Sequence, residues 1–167
     1  MHTTPATTDE PHAEVVEVWP RDGVIRLVGH VAGLADAPDD GWTLESRARE
    51  RRRAPSLAGR VRSRLRNRLR AAPRVLAHPA HLEDGRFTAE IPVGALVPPR
   101  RGAVEHWDLS FVHADGRRLR AGRWLDDMPG KKRIVAFPTQ QAGRGTKVRP
   151  YFTDGDALAV RVTRTGR

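Results

Sequence analysis

Six arginines at every second position are the side chains of this sequence with the clearest chemical potential. They are Arg60, Arg62, Arg64, Arg66, Arg68 and Arg70. Apolar side chains recur every four residues through the same segment, at Leu57, Val61, Leu65 and Leu69, and Pro73 follows. A strand would place all six arginines on one face, where like charges repel. The pattern therefore favours a short amphipathic helix, frayed or disordered without a partner, that ends before the proline.

A helix of this kind suits an anionic membrane or a phosphate backbone. On a membrane, burial of the apolar stripe adds to charge attraction, which is worth about 1 kcal/mol for each arginine near the surface. On nucleic acid, affinity comes mostly from neutralised phosphates and released counterions. Residues 47–74 contain no aromatic side chain that could stack on unpaired bases, which weakens the nucleic-acid alternative. A third alternative is a solvated loop that aids solubility or meets acids on a neighbouring protein.

The net positive charge of the chain is confined to this region. The formal net charge is +10. Residues 47–74 hold twelve arginines and one acid, Glu50, for a net charge of +11. The other 139 residues hold 18 basic and 19 acidic side chains, for a net charge of −1. We therefore predict a basic insert, residues 51–72, in a near-neutral scaffold.

The four tryptophans are the next candidates, because an indole face can stack on a sugar ring. Trp107 alternates with Leu109 and Phe111, which predicts a position in the core. Trp19 and Trp42 border turns, so we expect one of them to be partly exposed. These two residues are our candidate glycan contacts.

No set of residues in the sequence predicts catalysis, a cofactor or a metal site. His78 and His81 are residue types that bind zinc, but their spacing is common by chance and no second cluster supports it. Cysteine is absent, which excludes disulfides, thiolate metal sites and a cysteine nucleophile. The sequence therefore argues against an enzyme. A β-barrel enzyme stays an alternative if His78, His81 or His106 meets an acid inside a pocket.

Short alternating runs separated by Asp-Gly pairs make up the rest of the chain. The pairs begin at residues 22, 40, 84, 115 and 154. Asp-Gly between alternating runs favours a tight hairpin turn, because both central residues of that turn take positive φ. Repeated hairpins indicate an all-β sandwich or barrel. We predict strands at 13–19, 23–32, 42–49, 74–80, 85–93, 104–114, 117–125, 132–138, 147–152 and 156–163.

The second half of the chain contains an ordered series of turn and strand motifs. They are Trp107-Asp108-Leu109, Asp115-Gly116-Arg117-Arg118-Leu119-Arg120, Val148-Arg149-Pro150-Tyr151-Phe152-Thr153 and the closing run at 155–162. The series resembles the β-rich accessory domains found C-terminal to actinobacterial cell-surface glycosyltransferases and CDP-glycerol glycerophosphotransferases of the teichoic-acid type. The resemblance covers residues 13–50 and 74–163. It implies an immunoglobulin-like antiparallel sandwich and a non-catalytic role beside a transferase.

These observations predict one all-β domain at residues 13–163, with the basic insert at 51–72 and short tails at 1–12 and 164–167. The expected function is a non-catalytic binding or accessory module for cell-surface glycopolymer transferases. Its partner would be such a transferase or an anionic glycopolymer, with the six alternating arginines on polymer or lipid. The alternative is a nucleic-acid-associated protein. Because no apolar signal region or membrane span is present, we expect a cytoplasmic protein that is at most peripheral at the inner membrane face.

Overall fold

The computed structural model describes residues 10–49, 72–128 and 130–166, and these residues are mostly β-strand. The strands are β1 (His12–Arg21), β2 (Val24–Ala32), β3 (Trp42–Ala48), β4 (Val75–Glu83), β5 (Arg86–Pro92), β6 (Val104–His113), β7 (Arg118–Gly122), β8 (Gln140–Gln141), β9 (Thr146–Phe152) and β10 (Leu158–Arg164). A 3₁₀ turn covers Val93–Leu96, and a four-residue helix, α1, covers Lys131–Ile134. The prediction of an all-β chain is confirmed. Within the described ranges, no helix has the length and apolar character needed to cross a membrane.

Seven strands close into a barrel, in the order β1, β2, β5, β4, β3, β6, β7 and back to β1. The closing contact is a short parallel pairing of β1 with β7, between Ala13 and Ala121. The prediction of an immunoglobulin-like sandwich is therefore wrong. A sandwich has two sheets that face each other, whereas here one sheet curls until its outer strands pair.

Three further strands extend the sheet beyond the barrel. On one edge, β6 pairs with β7 through residues 110–112 and with β10 through residues 104–108. β9 and β8 follow β10, and β8 reaches the β1–β2 turn. There, Gln140 Nε2 donates to the Val24 carbonyl at 2.7 Å, and Gln140 Oε1 accepts from the Gly23 amide at 2.9 Å. The outer surface of β3, β6, β10 and β9 is thus one continuous strand surface.

The core fills the interior of the barrel. Trp107, Leu109 and Phe111 alternate along β6 and are at most 2% exposed, so the predicted core position of Trp107 is confirmed. Phe87 on β5 reaches Phe111 across the interior, with their ring centroids 4.3 Å apart. Val160 from β10 joins the same core. Full burial of such a side chain contributes about 1.5–3 kcal/mol. Because successive residues of a strand point to opposite sides, the residues between the buried ones must point outward.

Two of the five Asp-Gly pairs form the expected tight turn with positive φ at both central residues. Asp22 and Gly23 have φ of 55° and 78°, and Asp84 and Gly85 have φ of 49° and 74°. These turns connect β1 to β2 and β4 to β5. The local turn chemistry of these pairs therefore sets two hairpins of the barrel.

The predicted strand at 132–138 is wrong, because the chain forms α1 there. Lys131 is 1% exposed, and its Nζ donates to the Met128 carbonyl at 2.9 Å. The same Nζ lies 2.6 Å from Asp126 Oδ1 and 3.6 Å from Asp156 Oδ2. A buried ammonium must be paired, and these contacts hold the segment in a turn. The apolar residues of the segment do not reveal this network.

Candidate anion-binding face

The residues on either side of the predicted insert are held next to each other at the end of β3. The Ala48 amide donates to the Arg74 carbonyl at 2.9 Å, and the Arg49 amide donates to the His106 carbonyl at 2.7 Å. The six alternating arginines, Arg60, Arg62, Arg64, Arg66, Arg68 and Arg70, lie outside the described residues, as does the insert apart from Ala72. Their binding role therefore stays a prediction. The structure adds the surface around Arg49 and Arg74, between which the insert lies in the sequence.

We call the outer surface of β3, β6, β7, β9 and β10 the basic face. Its basic side chains are Arg47, Arg49, Arg118, Arg120, Lys147, Arg149 and Arg161, and its acidic side chains are Glu45 and Asp108. They point outward because they alternate with buried residues along each strand. The part of the chain outside residues 47–74 is nearly neutral as a whole, yet five of its basic side chains lie on this one side, next to Arg47 and Arg49. A count of charges along the sequence does not show this clustering.

Strand register places three of these arginines and a histidine in one row. Arg149 on β9 is opposite Arg161 on β10, which is opposite His106 on β6, and Arg49 comes next after β3. Neighbouring strands lie about 4.8 Å apart, so the row spans roughly 15 Å. Arg149 and Arg161 are both exposed, and no acid among the described residues lies within 4.0 Å of either guanidinium. Like charges in this arrangement repel, so an anion that bridges them would be stabilised.

Asp108 holds Arg49, which is part of this row, and Arg120, which lies next to it. Its Oδ1 accepts from Arg49 Nε at 2.9 Å, from Arg49 Nη2 at 2.7 Å and from Arg120 Nη2 at 2.8 Å. Burial alone would raise the pKa of Asp108, but the hydrogen bonds and charges of the two arginines lower it below its usual value. Asp108 is therefore ionised at neutral pH and orients both guanidinium groups.

Glu45 likewise binds two more arginines of the basic face. It accepts from Arg118 Nη1 at 2.9 Å and Arg118 Nη2 at 3.2 Å, and from Arg47 Nε at 3.1 Å. The hydrogen bond from Arg118 is the main reason that the pKa of Glu45 is lowered. Both acids of the basic face are thus engaged by arginine, which leaves the charges of Arg149 and Arg161 available to a ligand.

His106 and Tyr151 form the aromatic part of the basic face. His106 Nδ1 lies 2.7 Å from the Tyr151 hydroxyl, and the two rings meet edge to face with centroids 5.6 Å apart. Burial, followed by the charges of Arg49 and Arg161, lowers the pKa of His106. His106 is therefore neutral at pH 7 and lies on the outside of the barrel. It provides a polar group between the arginines of the row.

The cleft next to β7 adds an aromatic wall to one side of the basic face. It has a volume of about 380 Å³ and is lined by His12, Ser110, Arg118, Arg120 and Trp124, among others. The His12 and Trp124 rings meet edge to face, with centroids 4.9 Å apart. Two arginines and an indole in one cleft can contact a ligand that is both charged and partly apolar.

The histidine pair of the sequence is divided between the two sides of β4. His78 points into the barrel, is 5% exposed and has its Nε2 3.1 Å from Ser46 Oγ. Burial lowers the pKa of His78. His81 lies outside the barrel, 3.7 Å from Glu83. In the part of the chain that the structure describes, no group of three or more metal-ligating side chains is present.

The two candidate glycan contacts differ in burial. Trp42 is 5% exposed and its Nε1 donates to the Pro38 carbonyl at 2.7 Å, because the even-numbered residues of β3 point inward. A buried indole offers no face to a sugar, so the expectation for Trp42 is wrong. Trp19 is 47% exposed, and its role as a glycan contact stays a prediction.

No protein-family model matches this chain, and no curated protein gives a significant match to it. The geometry of the basic face is therefore the basis for a functional assignment.

Proposed function

We propose that this protein is a non-catalytic binding module that holds a phosphate-bearing anionic glycopolymer on its basic face, beside the transferase that makes the polymer. The observation that carries the proposal is the register pair Arg149 and Arg161. Both side chains are exposed on adjacent strands, and neither has an acidic partner in the described ranges. A row about 15 Å long that holds three arginines and a neutral histidine fits a chain with repeated negative charges better than one small anion.

Two features favour a glycopolymer over nucleic acid as the occupant. The aromatic residue beside the row is Tyr151, whose hydroxyl lies 2.7 Å from His106 Nδ1 and whose ring packs edge to face against the imidazole. That arrangement is not an open platform for unpaired bases, which single-strand binders usually provide. The neighbouring cleft with Trp124 has room for a sugar unit between phosphates. The predicted insert follows Arg49 closely in the sequence and would add further positive charge for the same polymer.

The test is a comparison of three anionic partners in one salt series. The partners are poly(glycerol phosphate), duplex DNA and vesicles with anionic lipid, and uncharged dextran is the reference. Arg149→Gln combined with Arg161→Gln removes the pair, and Arg100→Gln combined with Arg101→Gln is the matched control in an exposed turn. At about 1 kcal/mol for each surface charge, the first variant should bind the polymer about 30-fold more weakly.

The salt dependence provides a second readout. Each lost contact with a single anionic chain should lower the slope of log affinity against log salt by about 0.7, so the double variant should lose roughly 1.4. Equal losses in the two double variants, or no loss in the first, would refute the role of the pair. Tighter binding to duplex DNA than to the polymer, with the same dependence on Arg149 and Arg161, would replace the glycopolymer by nucleic acid. A preference for anionic vesicles would replace it by a membrane surface.

A further inference from the structure

A second surface with binding chemistry lies on the far side of the barrel. β2 and β5 are each three strands away from β6 around the ring, so their outer surface is opposite the basic face. Together with β1 they line a groove of about 400 Å³ that contains Trp19. Trp19 is 47% exposed there, and an indole left this open to water is a common mark of a binding surface.

Strand register gives the groove an ordered row of three different groups. Trp19 on β1 is opposite Arg26 on β2, and Arg26 is opposite Glu90 on β5. The row spans about 10 Å at the usual strand spacing. Within the residues described, the side chains of Arg26 and Glu90 have no hydrogen bond and no ion pair. An aromatic face therefore lies beside a donor group and an acceptor group that are both available to a ligand.

The Trp19 ring is held in place before any ligand arrives. Its Nε1 donates to Glu17 Oε2 at 2.8 Å, and the guanidinium carbon of Arg21 lies 5.5 Å from the ring centroid. Arg21 thus covers one side of the indole, while close to half of the side chain stays exposed. A ring oriented in this way loses little conformational entropy on binding.

The charges of the groove balance, which indicates the chemistry of the ligand. The lining includes three basic and three acidic side chains, which are Arg21, Arg26, Arg86, Glu17, Asp22 and Glu90. Such a surface attracts neither a polyanion nor a polycation strongly. It offers many hydrogen-bond donors and acceptors around an apolar ring face. A neutral ring with hydroxyl groups on its edge and C–H bonds on its face meets both requirements.

We propose that this groove binds an uncharged pyranose ring of a glycan, stacked on Trp19 and hydrogen-bonded by Arg26 and Glu90. The carboxylate accepts from sugar hydroxyls, and the guanidinium donates to sugar oxygens. The site is independent of the proposed anionic partner, because its ligand is neutral and its strands lie opposite the basic face.

Binding is tested on the full chain with maltotriose, cellotriose and chitotriose as probes, each at millimolar concentration. Saturation-transfer NMR reports contact with the sugar, and tryptophan fluorescence reports the change around the indole. At least one probe should bind in a saturable manner. Trp19→Ala should weaken that probe at least about tenfold, and Arg26→Gln and Glu90→Gln should each weaken it by a smaller factor.

The matched control is Val16→Ala, which removes exposed apolar surface from the same strand, since Val16 is 50% exposed. It should leave sugar binding unchanged, as should the Arg149→Gln, Arg161→Gln pair and added salt. Thermal unfolding of each variant shows that it is folded, and Trp19→Phe, which keeps a ring, should retain part of the affinity. The proposal is overturned if no probe binds, if Trp19→Ala binds as well as the parent, or if Val16→Ala loses as much. Tighter binding of glucuronic acid or glucosamine than of the neutral sugars would also overturn it.

Discussion

Replacement of Asp108 by Asn removes the carboxylate that holds Arg49 and Arg120 on the basic face. Asn has nearly the same shape, so the change is mainly one of charge. The neutral amide no longer compensates two guanidinium groups that already lie near Arg161. We therefore expect the fold to become less stable while the face binds a polyanion more tightly, because the net charge of the face rises by one.

The size of the loss follows from the contacts of Asp108. Its Oδ1 accepts three hydrogen bonds from charged donors, at 2.7, 2.8 and 2.9 Å. A hydrogen bond to a charged group contributes about 1.5–3 kcal/mol when well buried. These three share one oxygen, and the side chains of Asp108, Arg49 and Arg120 are 35%, 40% and 32% exposed, so solvent screens them. A total loss of roughly 1–2 kcal/mol is expected, which lowers the Tm by about 3–6 °C for a chain of this length.

Thermal unfolding followed by circular dichroism at low ionic strength measures the first effect. Titration with poly(glycerol phosphate) measures the second, which should be a gain of about fivefold from one additional uncompensated charge. Asp36→Asn is the matched control, because Asp36 is exposed in the β2–β3 connection and its side chain makes no hydrogen bond within the described ranges. An unchanged Tm for Asp108→Asn, or a weaker affinity for the polymer, would refute the reasoning.

Three further outcomes are expected. The pKa of Glu45 is lowered, first by its hydrogen bond with Arg118. The ionised carboxylate therefore stabilises the fold above pH 4.5, and this stabilisation is lost as the pH falls through the folded-state pKa. Urea unfolding of Glu45→Gln should show a free energy of unfolding that depends less on pH below 4.5. Burial lowers the pKa of His78 below 6.5, so its NMR titration midpoint should lie below pH 6.5. Because the unfolded chain takes up this proton first, the free energy of unfolding should decline as the pH falls below 6.5. Glu14 is 4% exposed and accepts hydrogen bonds from the amides of Trp124 and Leu125 at 2.9 and 3.0 Å. Glu14→Gln keeps only one acceptor oxygen, so urea unfolding should show a loss of about 2–3 kcal/mol in the free energy of unfolding.

Each of these three outcomes has a result that would contradict it. If Glu45→Gln and the parent lose stability equally as the pH falls below 4.5, the Arg118 contact is not maintained in solution. A His78 midpoint at or above 6.5 would mean that water reaches the ring inside the barrel. A Glu14→Gln variant as stable as the parent would show that the 123–125 segment does not depend on the carboxylate.

Features that depend on neighbours along the chain could be predicted from the sequence. Alternation of apolar and polar residues identified most strands, because side chains on a strand point to opposite sides in turn. The same rule placed Trp107 in the core, where it is fully buried. The Asp22-Gly23 and Asp84-Gly85 turns were also predictable, since positive φ at both central residues is a local requirement. The concentration of arginine at 47–74 was visible directly.

Features that depend on contacts between distant strands were decided only by the tertiary structure. The barrel closes where Ala13 meets Ala121, and the row of Arg149, Arg161 and His106 exists because three strands pair in one register. Trp42 and Trp19 both border turns in sequence, yet only the fold buries one and exposes the other. The physical reason is that backbone hydrogen bonds between strands are the same for any pair of strands. The choice of partner and register is therefore made by packing of the whole core, and the charged side chains on the outside come together as a consequence.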